Sequence, residues 1–513
     1  MIQFETNQSQ YKHWHLEIKD QLAFLTLNVR EDGGLFNTYK LKLNSYDLSV
    51  DIELADAVQR IRFEHPGVKT VVISSDNKEV FCAGANIFML GQSSHAFKVN
   101  FCKFTNETRL AMEDASKNSD LKFLCAASGT TAGGGYELAL ACDKILLVND
   151  SNSAVSLPEV PLLGVLPGTG GLTRLSDKRK VQKDYADFFC TTAEGIKGER
   201  AKKWNLVDYL APRSNWQNTI LEQANELAKQ STRTKQPGVK LEALGEHKYV
   251  NLKINEKVRT AEITVHAPFE KEPTTLEETI NKGSNLWMLR AFRELENVLL
   301  NIRFNYLEVG LLIFKTKGSG EYVLQAEKAL VNLAKNKNSN FAKETLLFVK
   351  RVFKKIDVTS RSMVTFVEED SAFAGVLADL IWAADRSYML ADENGKSKVC
   401  LSQFNFGKLP MGNNLTRLEA RFFGNKEKLA KVSGKKNIWL SAQECEELEL
   451  VTFVLDDIDY PDETRLFLEE RASLSPDSLT GMEANLRFVG PETMETKIFA
   501  RLSAWQNWIF NRE

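Results

Sequence analysis

An internal repeat constrains this chain more than any other feature. AGGGYELALACD (132–143) returns as AGVLADLIWAAD (374–385), and LTRL (172–175) returns unchanged at 415–418. Ala132, Gly133, Leu138, Ala141 and Asp143 meet Ala374, Gly375, Leu380, Ala383 and Asp385, while Gly164 and Pro167 meet Gly407 and Pro410. Such self-similarity means that one supersecondary plan is used twice, each copy having about half the chain. The 513 residues also exceed what one core usually serves. We therefore expect two domains, 1–255 and 256–513, the second with a helical C-terminus. The polar stretch around 232–275 holds the boundary.

The element pattern within each copy predicts an α/β layer structure. LAFLTLNV (22–29), TVVISS (70–75), LKFLCAAS (121–128) and KILLV (144–148) are short apolar runs suited to buried strands. Between the first two lies DIELADAVQRIRF (51–63), with Ile52, Ala55, Val58 and Ile61 at helical spacing. In the second half, RTAEITVHAP (259–268), LWMLRAFRELENVLLNIRF (286–304) and EVGLLIFKTKG (308–318) repeat that strand–helix–strand order. Alternating short strands and helices favour helices packed on a mainly parallel sheet.

Composition excludes several partner classes. A net charge of −2 gives no electrostatic case for nucleic acid or an anionic membrane. Seven scattered cysteines without a CxxC pair fit reduced thiols in a cytoplasm, with neither a disulfide framework nor structural zinc. The first residues, MIQFETNQSQ, lack the basic and apolar regions of a signal peptide. No uninterrupted apolar run suggests a membrane span.

Three glycine-rich stretches carry the chemistry: FCAGAN (81–86), AGGGYE (132–137) and LPEVPLLGVLPGTGG (157–171). Each follows an apolar strand, where α/β layers usually place their sites. Two such turns can aim two backbone N–H groups at one point, and glycine lets a ligand approach without a β carbon in the way. That arrangement suits a carbonyl oxygen that gains negative charge during reaction. Glu137, within an apolar run, and Glu159 form a candidate carboxylate pair. In an apolar cleft the two would push each other's pKa values apart, so that one acts as acid and the other as base. Neither GTGG nor AGGGYE has the spacing of a phosphate-binding or dinucleotide loop.

In this order the three stretches resemble the crotonase (enoyl-CoA hydratase/isomerase) superfamily, over about residues 15–260 and more weakly over the second half. The resemblance implies a ββα spiral fold, here duplicated, and an acyl-CoA substrate. It implies an oxyanion hole from the Ala85 and Gly134 amides, with Gly84 and Gly133 lining the substrate, and acid/base roles for Glu137 and Glu159. The loop inserted at 29–47, the stretch HAFKVNFCKFTNETR (95–109) and the fused second half are similar to a ring-opening branch of the family. That likeness implies a carbon–carbon lyase of aerobic benzoate degradation. It would open the non-aromatic ring of 2,3-epoxybenzoyl-CoA or its 2,3-dihydrodiol with water, giving 3,4-didehydroadipyl-CoA semialdehyde and formate.

It also favours Cys102 as an active-site residue, reactive if its surroundings lower its pKa. No metal and no cofactor are expected beyond the CoA of the substrate. A simpler enoyl-CoA hydratase/isomerase and a non-catalytic acyl-CoA-binding scaffold are the alternatives. A homodimer is expected, since a fused pair supplies part of what single units gain by assembly. His95 lies in the distinctive stretch, and His13 and His15 read as surface. Lys40, Asn44 and Tyr46 in the inserted loop are unranked contacts.

The copies differ where chemistry would sit. Val376 and Leu377 replace Gly134 and Gly135, Asp379 replaces Glu137, and Ser402 replaces Glu159 to within one residue. The second half is thus expected to be a degenerate copy that keeps the fold and lacks the site.

Overall fold

The computed structural model describes residues 1–506, 508 and 509. The chain forms two compact units, Met1–Ala243 and Leu244–Glu513. The division lies ahead of the expected 255/256 boundary because Val250–Asn255 already pairs into the second sheet.

The first unit contains strands β1 (Trp14–Lys19), β2 (Leu22–Leu27), β3 (Thr70–Ser75), β4 (Val80–Cys82), β5 (Lys122–Ala127), β6 (Thr130–Ala132), β7 (Lys144–Val148), β8 (Ala154–Ser156) and β9 (Tyr209–Ala211). Six of them form a sheet in the order β1-β2-β3-β5-β7-β9. Only the β1–β2 hairpin is antiparallel. Leu22, Val72, Leu124, Ala126, Leu146 and Ala211 meet Ile220, Ala224, Leu227 and Ala228 of the helix Trp216–Lys229, which covers one face. Burial on both faces explains why β5 and β7 read as continuous apolar runs.

The remaining three strands were not legible in the sequence. β4, β6 and β8 form a separate parallel sheet. Each has only three residues, too few to show a period. Each runs straight into one of the glycine-rich stretches. A second small sheet therefore sets those stretches side by side, at the C-terminal ends of its strands.

Carboxylates fasten the sheet and the elements around it. Glu53, from the helix Leu48–Glu64, accepts the amides of Lys12 (2.8 Å), His13 (2.9 Å) and Trp14 (3.1 Å). Asp143 accepts Phe123 N at 2.7 Å. Buried Arg174, of the LTRL repeat, pairs with Glu113 at 2.9 Å.

His13 departs from the surface position expected of it: it is 1% exposed. The inserted loop wraps over it, so that Arg30 N donates to His13 Nδ1 at 3.2 Å and the other ring nitrogen lies 3.1 Å from Gly33 O. His15 is exposed.

The second unit contains β10 (Val250–Asn255), β11 (Thr260–His266), β12 (Leu311–Lys317), β13 (Ser362–Val367), β14 (Arg386–Ala391), β15 (Val399–Cys400), β16 (Trp439–Leu440) and β17 (Phe453–Asp456). Its main sheet runs β10-β11-β12-β13-β14-β17, again with one antiparallel hairpin followed by parallel neighbours. The helix Tyr460–Ser473 covers it through Tyr460 and Phe467. Glu294 accepts the amides of Lys248, Tyr249 and Val250. Asp385 accepts Met363 N at 2.8 Å, and buried Arg417 pairs with Asp357 at 2.7 Å. In place of a small three-stranded sheet, one parallel bridge joins Ala374 to Cys400. The unit ends in the helices Tyr460–Ser473, Pro476–Arg487 and Met494–Arg501. Among the described residues, no helix is long and apolar enough to cross a membrane.

Candidate active site

The site is built from the turns that leave β4, β6 and β8. After β4, Tyr46 of the inserted loop pairs with Ala85 as a parallel bridge: Tyr46 N donates to Gly84 O at 3.0 Å, and Asn86 N to Tyr46 O at 2.8 Å. That pairing uses the groups on either side of Ala85 and turns the Ala85 N–H away from Tyr46. After β6, Gly133 N donates to Ser156 O at 2.9 Å, and the helix Gly134–Ala141 begins. Gly134 N–H, in the first turn, has no intrahelical acceptor. Neither the Ala85 nor the Gly134 amide donates to a backbone carbonyl among the described residues.

The two turns pack directly together. A β carbon at Gly84, whose φ is +87°, would lie 2.8 Å from Gly134 N and 2.9 Å from Ala132 O. At Gly134 a β carbon would run into the Tyr46 hydroxyl and lie 3.1 Å from its ring Cε1. Both glycines are therefore needed for contact between backbone segments.

Glu137 lies one helical turn into Gly134–Ala141 and is 2% exposed. The PGTGG segment holds its carboxylate. Thr169 N donates at 2.9 Å and Gly171 N at 2.8 Å to Oε1, while the Thr169 hydroxyl donates to Oε2. Arg174 in turn fixes this segment by donating to Thr169 O at 2.8 Å. Buried carboxylates require such partners, and here all three come from one turn, which orients the side chain. Sequence reasoning missed Thr169 and Gly171, although GTGG was the signal available.

Glu159 opens the short helix Glu159–Leu163 that follows β8. A β carbon at Gly133 would lie 3.0 Å from its Oε1, so the carboxyl group sits over the turn that presents Gly134. Its Oε2 is buried without a partner. Burial, and then the charge of Glu137, push its pKa up to about 7 against the restraint of its own amide. One carboxylate is thus locked by donors and the other is balanced between its protonation states near neutrality.

Cys102, on the helix His95–Ser119, faces the same segment: a β carbon at Gly168 would lie 2.9 Å from its sulfur. Asn106 Nδ2 donates to both Cys102 O (2.9 Å) and Gly168 O (3.0 Å), joining helix to turn. The condition set for a reactive thiolate is not met. Burial, followed by the charge of Glu137, pushes the Cys102 pKa up to about 11, because a thiolate there would be desolvated beside a carboxylate.

The structure thus brings Gly84, Ala85, Gly133, Gly134, Glu137, Glu159 and Cys102 together. It leaves others aside. Asn44 is consumed within the fold, accepting Val29 N at 3.0 Å and donating to Ser75 Oγ at 2.9 Å. Lys40 and His95 are exposed. Cys82 packs under Gly135, and its thiol donates to Asn44 O at 3.1 Å.

Residues 39–276 match the enoyl-CoA hydratase/isomerase family. A benzoyl-CoA-dihydrodiol lyase of Aromatoleum evansii is 52% identical over 100% of this chain and 93% of its own length. Among solved structures, an enoyl-CoA hydratase from Geobacillus kaustophilus is 32% identical, covering 43% of this chain and 75% of its own, with a TM-score of 0.37. DspI of Pseudomonas aeruginosa is 22% identical over 43% of this chain and 82% of its own, also with a TM-score of 0.37. On the strength of the full-length relative and the family match, this chain belongs to the enoyl-CoA hydratase/isomerase (crotonase) family.

Proposed function

We propose that this protein is a benzoyl-CoA-dihydrodiol lyase, which opens the oxygenated, non-aromatic ring of a benzoyl-CoA derivative with water. The full-length relative carries that name, and the first unit holds the chemistry the reaction requires. The products are an unsaturated six-carbon CoA semialdehyde and formate. Their atoms balance with two molecules of water from the epoxide, or one from the dihydrodiol.

The observation that carries the proposal is the contrast between the two carboxyl groups beside two unengaged amides. The Ala85 and Gly134 N–H groups receive the thioester oxygen and stabilise the negative charge that develops on it. The thioester then serves as an electron sink while a ring carbon–carbon bond breaks. Glu159, with its pKa of about 7, takes a proton from water and returns one to the product, since acid/base catalysis is most effective when the pKa lies near the working pH. Glu137, held by Thr169 and Gly171, supplies the fixed negative charge that orients water and keeps Glu159 poised. Cys102 lines the site as a neutral thiol. The protein acts in the cytoplasm as a homodimer and uses no cofactor besides the CoA of its substrate.

Under this proposal the second unit is a degenerate copy that takes no part in catalysis. Several features support this. Its sheet order, its Glu294 clamp, Asp385 and the Arg417–Asp357 pair repeat those of the first unit. Val376 N, which stands where Gly134 N does in the first unit, donates to the buried Glu327 carboxyl, and so does the Ser402 hydroxyl. An internal side chain occupies the amide that a thioester would need. Ser402 caps the short helix Gln403–Asn405 as Pro158 precedes Glu159. Gln403 then stands opposite Glu159, and no carboxylate is present at that position.

Mass spectrometry of products from synthetic 2,3-epoxybenzoyl-CoA, with formate assayed in parallel, tests the proposal. We expect a CoA ester one carbon shorter and equimolar formate. Hydration of crotonyl-CoA without formate release from the epoxide would replace it with the simpler hydratase.

A further inference from the structure

Tyr46 and Arg109 are assigned no part in the chemistry above, yet they join the two amide-bearing turns from behind. Tyr46 holds the first turn by its backbone, through Gly84 O and Asn86 N. Its ring fills the space against the α carbon of Gly134 in the second turn. One residue thus touches both donors' peptide segments, and the Ala85 N–H points away from it.

Arg109 completes the link. Its Nη2 donates to the Tyr46 hydroxyl at 3.2 Å and to Gly134 O at 3.4 Å. Its Nη1 donates to Asp51 Oδ1 at 3.1 Å and to Thr105 O at 3.2 Å. Asp51 is held in turn by the Thr105 hydroxyl at 2.7 Å. Tyr46, Asp51, Thr105 and Arg109 are all buried, Arg109 being 1% exposed. Arg109 Nε is buried without an acceptor. A buried arginine that leaves a donor unused is placed for what its other nitrogens hold, since full satisfaction would be more stable.

We propose that Tyr46 and Arg109 are positioning residues that set the separation and direction of the Ala85 and Gly134 amides, so that both reach one oxygen. They act through the backbone and touch no reacting atom. The inference rests on the oxyanion-hole part of the function proposed above. A spacing error at such donors is felt mainly when charge develops on the oxygen. A misplacement of about 1 Å can cost roughly 100-fold in rate.

The test uses the full-length protein in two forms: Tyr46→Phe, which keeps the ring and removes the hydroxyl, and the charge-neutral double variant Asp51→Asn/Arg109→Gln. Two readouts are taken. The first is kcat and KM with the epoxide. The second is the infrared band of a 13C-labelled benzoyl-CoA thioester carbonyl, which reports polarisation without turnover. We expect kcat to fall about tenfold to 100-fold, with KM within about twofold and a smaller carbonyl shift at unchanged benzoyl-CoA affinity. Full kcat and a full carbonyl shift in both variants would overturn the inference, as would a loss confined to affinity. A wild-type protein that shifts the carbonyl but does not open the ring would remove the substrate assignment alone; the variants' smaller shift would still support the brace. No shift in the wild type would overturn the oxyanion hole and the brace together.

Discussion

Glu159→Gln should make the protein more stable and less active, and the size of both effects follows from the site. In the folded state burial and Glu137 raise the Glu159 pKa from 4.5 to about 7. At about 1.36 kcal/mol per pKa unit, the difference from the unfolded chain is about 3 kcal/mol. Because the folded pKa is the higher one, the folded state holds the proton more tightly. The stability linked to this proton is fully present below pH 4.5 and is lost as pH rises through about 7. Glutamine keeps the size of the side chain and carries no charge to desolvate. The melting temperatures of wild type and Glu159→Gln should therefore diverge between pH 4.5 and pH 7, by about 6–12 °C in favour of the variant for a unit of this size. At the same time kcat should fall by about 10²–10⁴, the usual worth of a general acid/base. The assay is differential scanning calorimetry across that pH range, paired with formate release. Parallel stability curves would refute the desolvated-carboxyl account, and an undiminished kcat would refute the role of Glu159 as proton carrier.

Two further outcomes are expected. Cys102, with its pKa at about 11, should be alkylated by iodoacetamide at a rate that climbs about tenfold per pH unit through pH 8–10; mass mapping of the labelled peptide measures this, and a rate already level at pH 8 would show a stabilised thiolate instead. Glu327→Gln should leave kcat unchanged while removing a pH-dependent weakness of the second unit: burial raises the Glu327 pKa to about 8, so wild type loses stability as pH rises through that value and the variant does not. A drop in kcat in this variant would contradict a non-catalytic second unit.

The recurring AGxxxxLxxAxD pattern and the two LTRL segments were legible as a repeat because the residues kept are ones whose partners are structural. Asp143 and Asp385 cap strand amides, and the buried Arg174 and Arg417 pair with helix carboxylates, half-buried Glu113 and buried Asp357. Removing either aspartate would leave a strand amide without its acceptor, and removing Asp357 would leave the buried Arg417 charge unpaired. β2, β3, β5, β7, β11 and β12 and the helices Leu48–Glu64 and Trp287–Asn305 were legible for a simpler reason: their apolar positions recur at the period of the element or form the continuous runs of a buried strand, whereas the helices Gly320–Ala334 and Asn340–Asp357 and β13 were not read. β4, β6 and β8 were not, since three residues carry no period.

From the sequence alone came the three glycine-rich stretches, their order, and the residues they present: Ala85, Gly134, Glu137 and Glu159. The tertiary structure decided the surroundings of each one. It placed a small parallel sheet beneath the turns, gave Glu137 its three donors from Thr169 and Gly171, and left Glu159 Oε2 with none. It raised the Cys102 thiol by burying it, and further by setting it near Glu137, and linked Tyr46 and Arg109 to the amide-bearing turns. Protonation state and amide direction depend on which distant segments share a few ångströms of low-dielectric space. A one-dimensional pattern fixes which groups exist, while only the folded chain sets their distances and their solvent.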